Sequence, residues 1–368
     1  MMQRIKLILF FVLLDCLSSM NNTQAQSLET RAGLQLSTQG YYGFILPHHP
    51  EMKIFTDRHV QAWEIDFAEM TVGKKRWQWS YAYPVCGAAL FYSSLGNTDI
   101  LGEVYAIIPY VDFPLVRGTK NSFLFRFGTG LSWFTRTFHR INNYKNTAIG
   151  SHINAAISLQ LAGEIALSRR LSFRPGLSFI HFSNGATKVP NYGINFVAAN
   201  AGFSYQMIEP KGNFITYEPL ILTPRPEFHT IISGTVKEIF PVGGQKFFVG
   251  NLALDVRTMF TKHILAGIGF DLTYDVSDRE VLSRTGKDIT NIETLKYAVN
   301  LHGGVRLGRL DLCLHAGGYI CQKDDSDGWI YDKITATYNF YGPWLINLTL
   351  KTHFARADFV AAGLGFKL

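Results

Sequence analysis

Charge is scarce in this chain: only 17% of its 368 residues are Asp, Glu, Lys or Arg, while 47% are hydrophobic. A water-soluble sheet protein with so little charge is unusual, whereas a protein whose outer face meets lipid needs that balance. Long apolar runs are missing too. After the first 25 residues no stretch approaches the ~18 uninterrupted apolar residues of a membrane-spanning helix, which excludes a helical bundle in the bilayer. Cysteine is also rare. Of four in all, Cys86, Cys313 and Cys321 lie beyond the N-terminal segment. An odd number argues against a disulfide framework. Cys313 and Cys321 fall eight residues apart on what reads as one strand, too far to bond within it.

The N-terminal residues read as an address. Arg4 and Lys6 precede an apolar run from Leu7 to Leu17 broken only by Asp15, and Thr23-Gln24-Ala25 offers small residues for cleavage. A charged start, a short apolar centre and a small-residue exit make a secretory signal over residues 1–25. A lipoprotein reading would cut at Cys16, where Asp15 fits poorly. Of the formal charge of +7, the signal carries +1, from Arg4 and Lys6 against Asp15, which leaves +6. That balance favours anionic partners. For an exported chain with scattered basic residues these are lipid phosphates rather than nucleic acid.

Alternation of period two recurs nearly throughout, the signature of strands with two unlike faces. Trp63, Ile65 and Phe67 alternate with Glu64 and Asp66; Phe248, Leu252, Leu254 and Val256 with Asn251, Asp255 and Arg257. Leu295, Tyr297, Val299 and Leu301 alternate with Lys296, Asn300 and His302; Trp344, Ile346, Leu348 and Leu350 with Asn347, Thr349 and Lys351. The strands are longer than the ~5–6 residues usual in a sandwich. The closing run Val360, Ala362, Leu364, Phe366, Leu368 is apolar on one face to the last residue, like the signal read by the outer-membrane insertion machinery. The fold class is therefore all-β, an antiparallel transmembrane β-barrel. Sixteen strands are predicted, near 38–46, 59–70, 77–93, 100–112, 121–135, 151–168, 170–183, 191–207, 228–238, 246–259, 262–275, 294–307, 309–322, 329–340, 343–354 and 357–368.

An even number of strands puts both termini in the periplasm. Tight turns at 168–170, 308–309 and 341–343 then fall inside, and the long polar segments 136–150 and 276–293 outside. Segment 208–227, with Pro210, Pro219, Pro224 and Pro226, is long for an inner turn. We favour one large barrel here. The alternative is an eight-stranded barrel over 26–207 joined to a second β domain over 208–368.

Chemistry concentrates in His181-Phe182-Ser183-Asn184-Gly185, followed by Pro190-Asn191-Tyr192-Gly193-Ile194-Asn195. His181 and Ser183 are two apart and share a strand face. Phe173, Leu177 and Phe179 lie on that face, and Arg174 and Ser178 on the other. On the next strand Asn195 sides with Val197, Ala199, Ala201, Phe203 and Tyr205, against Asn200, Ser204 and Gln206. His181, Ser183 and Asn195 are thus predicted to point outward near the outer rim, where polar side chains are costly unless they serve one another or a head group. A serine, a base within reach and an amide to orient that base suggest acyl transfer to water.

These residues resemble the lipid A deacylase family of outer-membrane barrels, also called PagL or acyloxyacyl hydrolases. The resemblance covers roughly residues 30–207. It implies an outer-membrane esterase acting on lipopolysaccharide in the outer leaflet, with Ser183 as nucleophile, His181 as base and Asn184 in the oxyanion hole. It implies no cofactor and no metal for that chemistry. Where better-known members have a glutamate, this sequence has Asn195, which can orient a histidine but brings no negative charge. The competing reading is a pore or transport barrel, since sixteen strands in one ring leave a water-filled lumen. Other motifs are weaker. His48-His49, between Pro47 and Pro50, could bind metal, but no cysteine or carboxylate stands at ligand spacing. Glu64 and Asp66 read as lumen carboxylates, and Gly243-Gly244 and Gly303-Gly304 as turn and strand glycines.

Overall fold

A computed structural model describes residues 30–55, 58–219, 223–354 and 356–368. The predicted signal peptide and Cys16 lie outside the described residues. Sixteen antiparallel strands run in chain order. The first eight are β1 Gly33–Ile45, β2 Val60–Met70, β3 Val85–Ser93, β4 Val104–Arg117, β5 Asn121–Phe134, β6 Ile153–Ala166, β7 Leu171–Ser183 and β8 Ile194–Ile208. The second eight are β9 Glu227–Glu238, β10 Lys246–Met259, β11 Ile264–Asp275, β12 Leu295–Leu307, β13 Leu310–Cys321, β14 Ile330–Tyr341, β15 Trp344–His353 and β16 Arg356–Lys367.

The strands close into two barrels of eight, not one of sixteen. β8 lies against β7 on one side and β1 on the other, from Leu34↔Ile208 to Ile45↔Phe196, so both its edges are taken. β9 is paired with β10 and β16 in the same way. This corrects the preference for a single ring; the eight-stranded barrel with a second β domain is the arrangement found. A smaller departure is residues 77–84. The third strand was predicted from residue 77, but Arg76–Ser80 is a short helix and β3 begins at Val85.

Each barrel is inverted relative to a soluble protein. In the first, Trp63, Phe67, Leu90, Ile107 and Leu177 are exposed on the wall, and in the second Ile232, Phe248, Leu301, Leu314 and Leu364. A continuous apolar outer belt belongs in lipid. The interiors hold the polar set. In the first barrel Arg126 reaches Asp112 at 2.6 Å, Glu64 at 2.8 Å and Asp66 at 2.9 Å, and Arg174 joins Asp112 at 2.7 Å. In the second, Lys333 meets Asp271 at 2.7 Å and Lys237 meets Asp275 at 2.6 Å. Eight strands leave an interior that side chains fill, so the water-filled lumen assumed for a pore loses its basis. Cys86 and Cys313 are buried and Cys321 is exposed.

The loops after β1, β3, β5 and β7 gather at one end of the first barrel; at the other end the turns after β4 and β6 are tight, while the β2–β3 connection covers residues 71–84. At the first of these ends the lumen is apolar: Ile45, Phe55, Val60, Leu101, Phe134, Ile180, Phe182 and Phe196 are almost fully buried in one cluster. Phe182 meets Phe134 edge-on at 5.5 Å and Phe91 at 6.1 Å. With Ile180, Phe182, Ile194 and Phe196 driven inward, strand alternation forces their neighbours 181, 183 and 195 outward.

Candidate active site on the barrel wall

His181 and Asn195 are register partners across β7 and β8. Their side chains stand on the outer wall, half-buried, and His181 Nδ1 donates to Asn195 Oδ1 at 2.6 Å. That bond fixes the tautomer. With its proton on Nδ1, the imidazole keeps the Nε2 lone pair as its basic atom.

The orientation of Asn195 is set from its other side. Its Nδ2 donates to His48 Nδ1 at 3.1 Å, and His48 Nε2 donates to the Tyr192 carbonyl at 2.7 Å. The relay is self-consistent: the His181 ring donates to the amide, the amide to the His48 ring, and that ring to the Tyr192 carbonyl, so Asn195 and His48 each use one donor and one acceptor. His48 arrives from the β1–β2 loop because β1 and β8 pair, and Leu46 N–H to Asn195 O at 2.8 Å extends that pairing to the loop's base. His49 stacks on Tyr192 with ring centroids 4.2 Å apart.

Ser183 ends β7, one step beyond His181 on the same face. Asn191 Nδ2 donates to Ser183 Oγ at 2.9 Å, and the Asn184 backbone N–H donates to Asn191 Oδ1 at 3.0 Å. Asn184 Nδ2 donates to Ser151 Oγ at 2.9 Å. The segment 191–193 is held by the β5–β6 loop, with Tyr192 N–H to Thr147 O at 3.3 Å and Gly193 N–H to Ala148 O at 3.0 Å. Gly193 has a φ of +76°, and a Cβ there would come within 3.0 Å of His181 Cε1. Only glycine takes that backbone without strain while leaving room for the ring.

The four residues singled out from sequence therefore lie at one rim position. His181 and Asn195 touch directly, and Ser183 and Asn184 both meet Asn191. Sequence reasoning gave His48 only a weak metal-binding reading and assigned no role to Asn191. Asn191 was inside the quoted motif; His48 needed the β1–β8 closure to be known.

Two family models match the chain. "Lipid A 3-O-deacylase (PagL)" covers residues 66–204, and "Acyloxyacyl hydrolase, C-terminal domain" covers residues 226–368. The chain belongs to the PagL family. Among curated proteins none matches. Similar solved structures include Neisserial surface protein A, at 8% identity over 47% of this chain and 97% of that one, TM-score 0.34. CdiB from Acinetobacter baumannii is 7% identical over 94% of this chain and 60% of that one, TM-score 0.18. The Salmonella typhi outer membrane phospholipase is 10% identical over 95% and 96%, TM-score 0.19. With superpositions this loose, the architecture of this PagL-family chain is read from its own strand pairing. The N-terminal match runs from inside β2 to inside β8, and the C-terminal match spans β9 to β16, so each match falls within one barrel.

Proposed function

We propose that this protein is an outer-membrane esterase that removes an ester-linked acyl chain from lipid A. Ser183 is the nucleophile, His181 the general base, and Asn195, held by His48, the group that orients the base. The observation that carries the reading is the 2.6 Å bond from His181 Nδ1 to Asn195 Oδ1 on the lipid-facing wall, one strand step from Ser183. A nucleophile, a base and an orienting group make a hydrolytic site. Their place outside the barrel gives access to a substrate that is itself a membrane lipid.

In the reaction Ser183 Oγ accepts the Asn191 hydrogen bond, and the proton it carries passes to His181 Nε2 as Oγ attacks the ester carbonyl. The tetrahedral oxyanion forms beside Asn191 Nδ2, an amide aimed by the Asn184 N–H. We assign the oxyanion hole to this Asn184–Asn191 pair; such a donor is worth ~3–4 kcal/mol in the transition state. Collapse expels the sugar hydroxyl, which takes the proton back from Nε2, and water then cleaves the acyl-serine by the same path reversed. The family description names the 3-O acyl chain, so that position is the first to examine. The exposed apolar walls support placement in the outer membrane, and loop lengths support placing the site at the outer leaflet. Residues 1–25 are proposed to be removed on export.

The test is mass spectrometry of lipid A from cells producing the protein or its Ser183→Ala variant. Loss of one acyl chain with the parent alone is expected. Identical lipid A from both, with the parent folded in the outer membrane, refutes the esterase.

A further inference from the structure

The second barrel holds a cluster that the esterase does not use. Asp255 on β10, His302 on β12 and His315 on β13 all face the lumen and are buried. Strand register brings them together: Asp255 pairs with Gly269, Gly269 with Asn300, Gly267 with His302, and His302 with His315. Their candidate ligand atoms lie within 4.8 Å of one another.

The histidines are held in one tautomer. Asn300 Oδ1 accepts from His302 Nδ1 at 3.1 Å and from His315 Nδ1 at 2.9 Å, which turns both Nε2 lone pairs forward. Asn300 is itself fixed, since its Nδ2 donates to Asp271 Oδ2 at 2.8 Å. A carbonyl on the far nitrogen of each imidazole is how metal-binding histidines are commonly oriented.

Two atoms of the cluster are unsatisfied. His302 Nε2 and Asp255 Oδ1 are buried and meet no hydrogen-bond partner among the described residues, although buried polar atoms normally have one. The space in front of both is kept clear by glycine. A Cβ on Gly267 would lie 2.4 Å from His302 Nε2, and one on Gly269 would lie 2.3 Å from Asp255 Oδ1. The third donor, His315 Nε2, accepts from Thr335 Oγ1 at 3.0 Å, a bond a stronger acid could replace.

We propose that Asp255, His302 and His315 form a binding site for a divalent first-row transition metal ion inside the second barrel. Two imidazole nitrogens and one carboxylate oxygen suit zinc and its neighbours, and disfavour the all-oxygen preference of calcium and magnesium. Arg257 holds the other oxygen of Asp255 at 2.7 Å, and Lys333 pairs with Asp271 nearby. Their charges oppose a cation, so the site binds more weakly than a closed four-ligand zinc site. The site is separate from the esterase and stands or falls independently of it.

The experiment uses the full untagged chain folded in detergent, its fold checked by heat-modifiable gel mobility, stripped with chelator and titrated with Zn2+ and Co2+. One ion per chain is expected, with cobalt giving visible d–d bands. His302→Gln and His315→Gln should each lower affinity by about 100-fold or more, and Asn300→Leu by about 10–100-fold. Thr335→Val, which keeps every ligand and removes the competing hydroxyl, should tighten binding several-fold, and Ser183→Ala should leave it unchanged. A thousandfold excess of Ca2+ should not displace the ion. Absence of stoichiometric binding, binding indifferent to His302→Gln and His315→Gln in folded protein, or displacement by Ca2+ overturns the proposal.

Discussion

If Asn195 orients His181 as proposed, replacing it by aspartate should speed deacylation, not cripple it. The amide now accepts the His181 Nδ1 proton at 2.6 Å as a neutral group. A neutral hydrogen bond contributes about 0.5–1.5 kcal/mol, and one to a charged acceptor about 1.5–3. The difference, about 1 kcal/mol, is realised as the imidazole becomes cationic during attack, and corresponds to a roughly fivefold rise in kcat. The aspartate is isosteric, so contacts with lipid stay the same and KM should hardly move. A second signature separates this from general repacking. An amide has two ends, and His48 Nδ1, by accepting from Asn195 Nδ2 at 3.1 Å, selects the correct one. A carboxylate has equivalent ends and needs no such selection. His48→Phe should therefore slow the parent about fivefold and the Asn195→Asp variant less, a coupling that a double-mutant cycle reads directly. Deacylation of purified lipopolysaccharide in mixed micelles, followed by release of fatty acid, supplies both numbers. If Asn195→Asp is as damaged as Asn195→Leu, or the effect of His48→Phe is the same in both backgrounds, the relay is wrong.

Three other outcomes follow from the same geometry. The rate should fall about tenfold per pH unit on the acid side of the His181 titration, since the imidazole must be neutral to take the Ser183 proton; a profile still flat at about pH 3, with the barrel folded, excludes His181 as base. Gly193→Ala should cost about 1–2 kcal/mol of backbone strain and also push the His181 ring, lowering kcat by roughly 10–100-fold. Gly243→Ala, at a φ of +79° with nothing within 4 Å, should carry the strain without the loss of activity, and equal losses at the two sites would remove the steric argument. Arg126→Met leaves Glu64, Asp66 and Asp112 without their common cation, which should destabilise the barrel by about 3–5 kcal/mol. Urea unfolding in lipid vesicles measures this, and a change under ~1 kcal/mol means the lumen network is not structural.

Strand positions were legible because period-two alternation is local. β10 and β12 begin and end within two residues of their predicted limits, and the outward direction of His181, Ser183 and Asn195 follows from the neighbours on each strand. Closure was not legible. Alternation is the same whether β8 pairs with β1 or with β9, so sixteen strands fit one ring as well as two. Segment 208–227 carried the hint, because prolines cannot donate to a strand ladder and four of them sit where β8 and β9 would have had to turn tightly together. The relay through His48 was hidden for the same reason. Residues 48 and 195 are 147 apart, and only the β1–β8 pairing makes them neighbours. Residues 77–84 were drawn into the third predicted strand because a helix of only five residues, Arg76–Ser80, is too short to show a helical period in the sequence.

The apolar end of the first lumen has a functional logic. A site on the outside of a barrel wall has no cleft to hold it, and lipid gives no directional support. Beyond the loops that hold His48 and Asn191, its rigidity comes through the wall from the other face. Phe182 lies between His181 and Ser183 in sequence and points inward, fully buried against Phe134; Phe196, beside Asn195, is buried against Phe91. Each inward ring anchors the strand at the residue next to a functional one. A charged network of the kind around Arg126 could fill the same volume, but an ion-pair network carries a desolvation cost that dense apolar packing does not. The division of the lumen, ionic in the middle and aromatic under the rim, therefore ties stability to one part of the barrel and catalytic geometry to the other. Truncating Phe182 to alanine should consequently reduce kcat by more than a lumen substitution that costs the barrel equal stability, because the cavity it opens lies directly behind the proposed base His181 and nucleophile Ser183. Equal kcat for two variants matched in stability would mean the plug serves the fold alone.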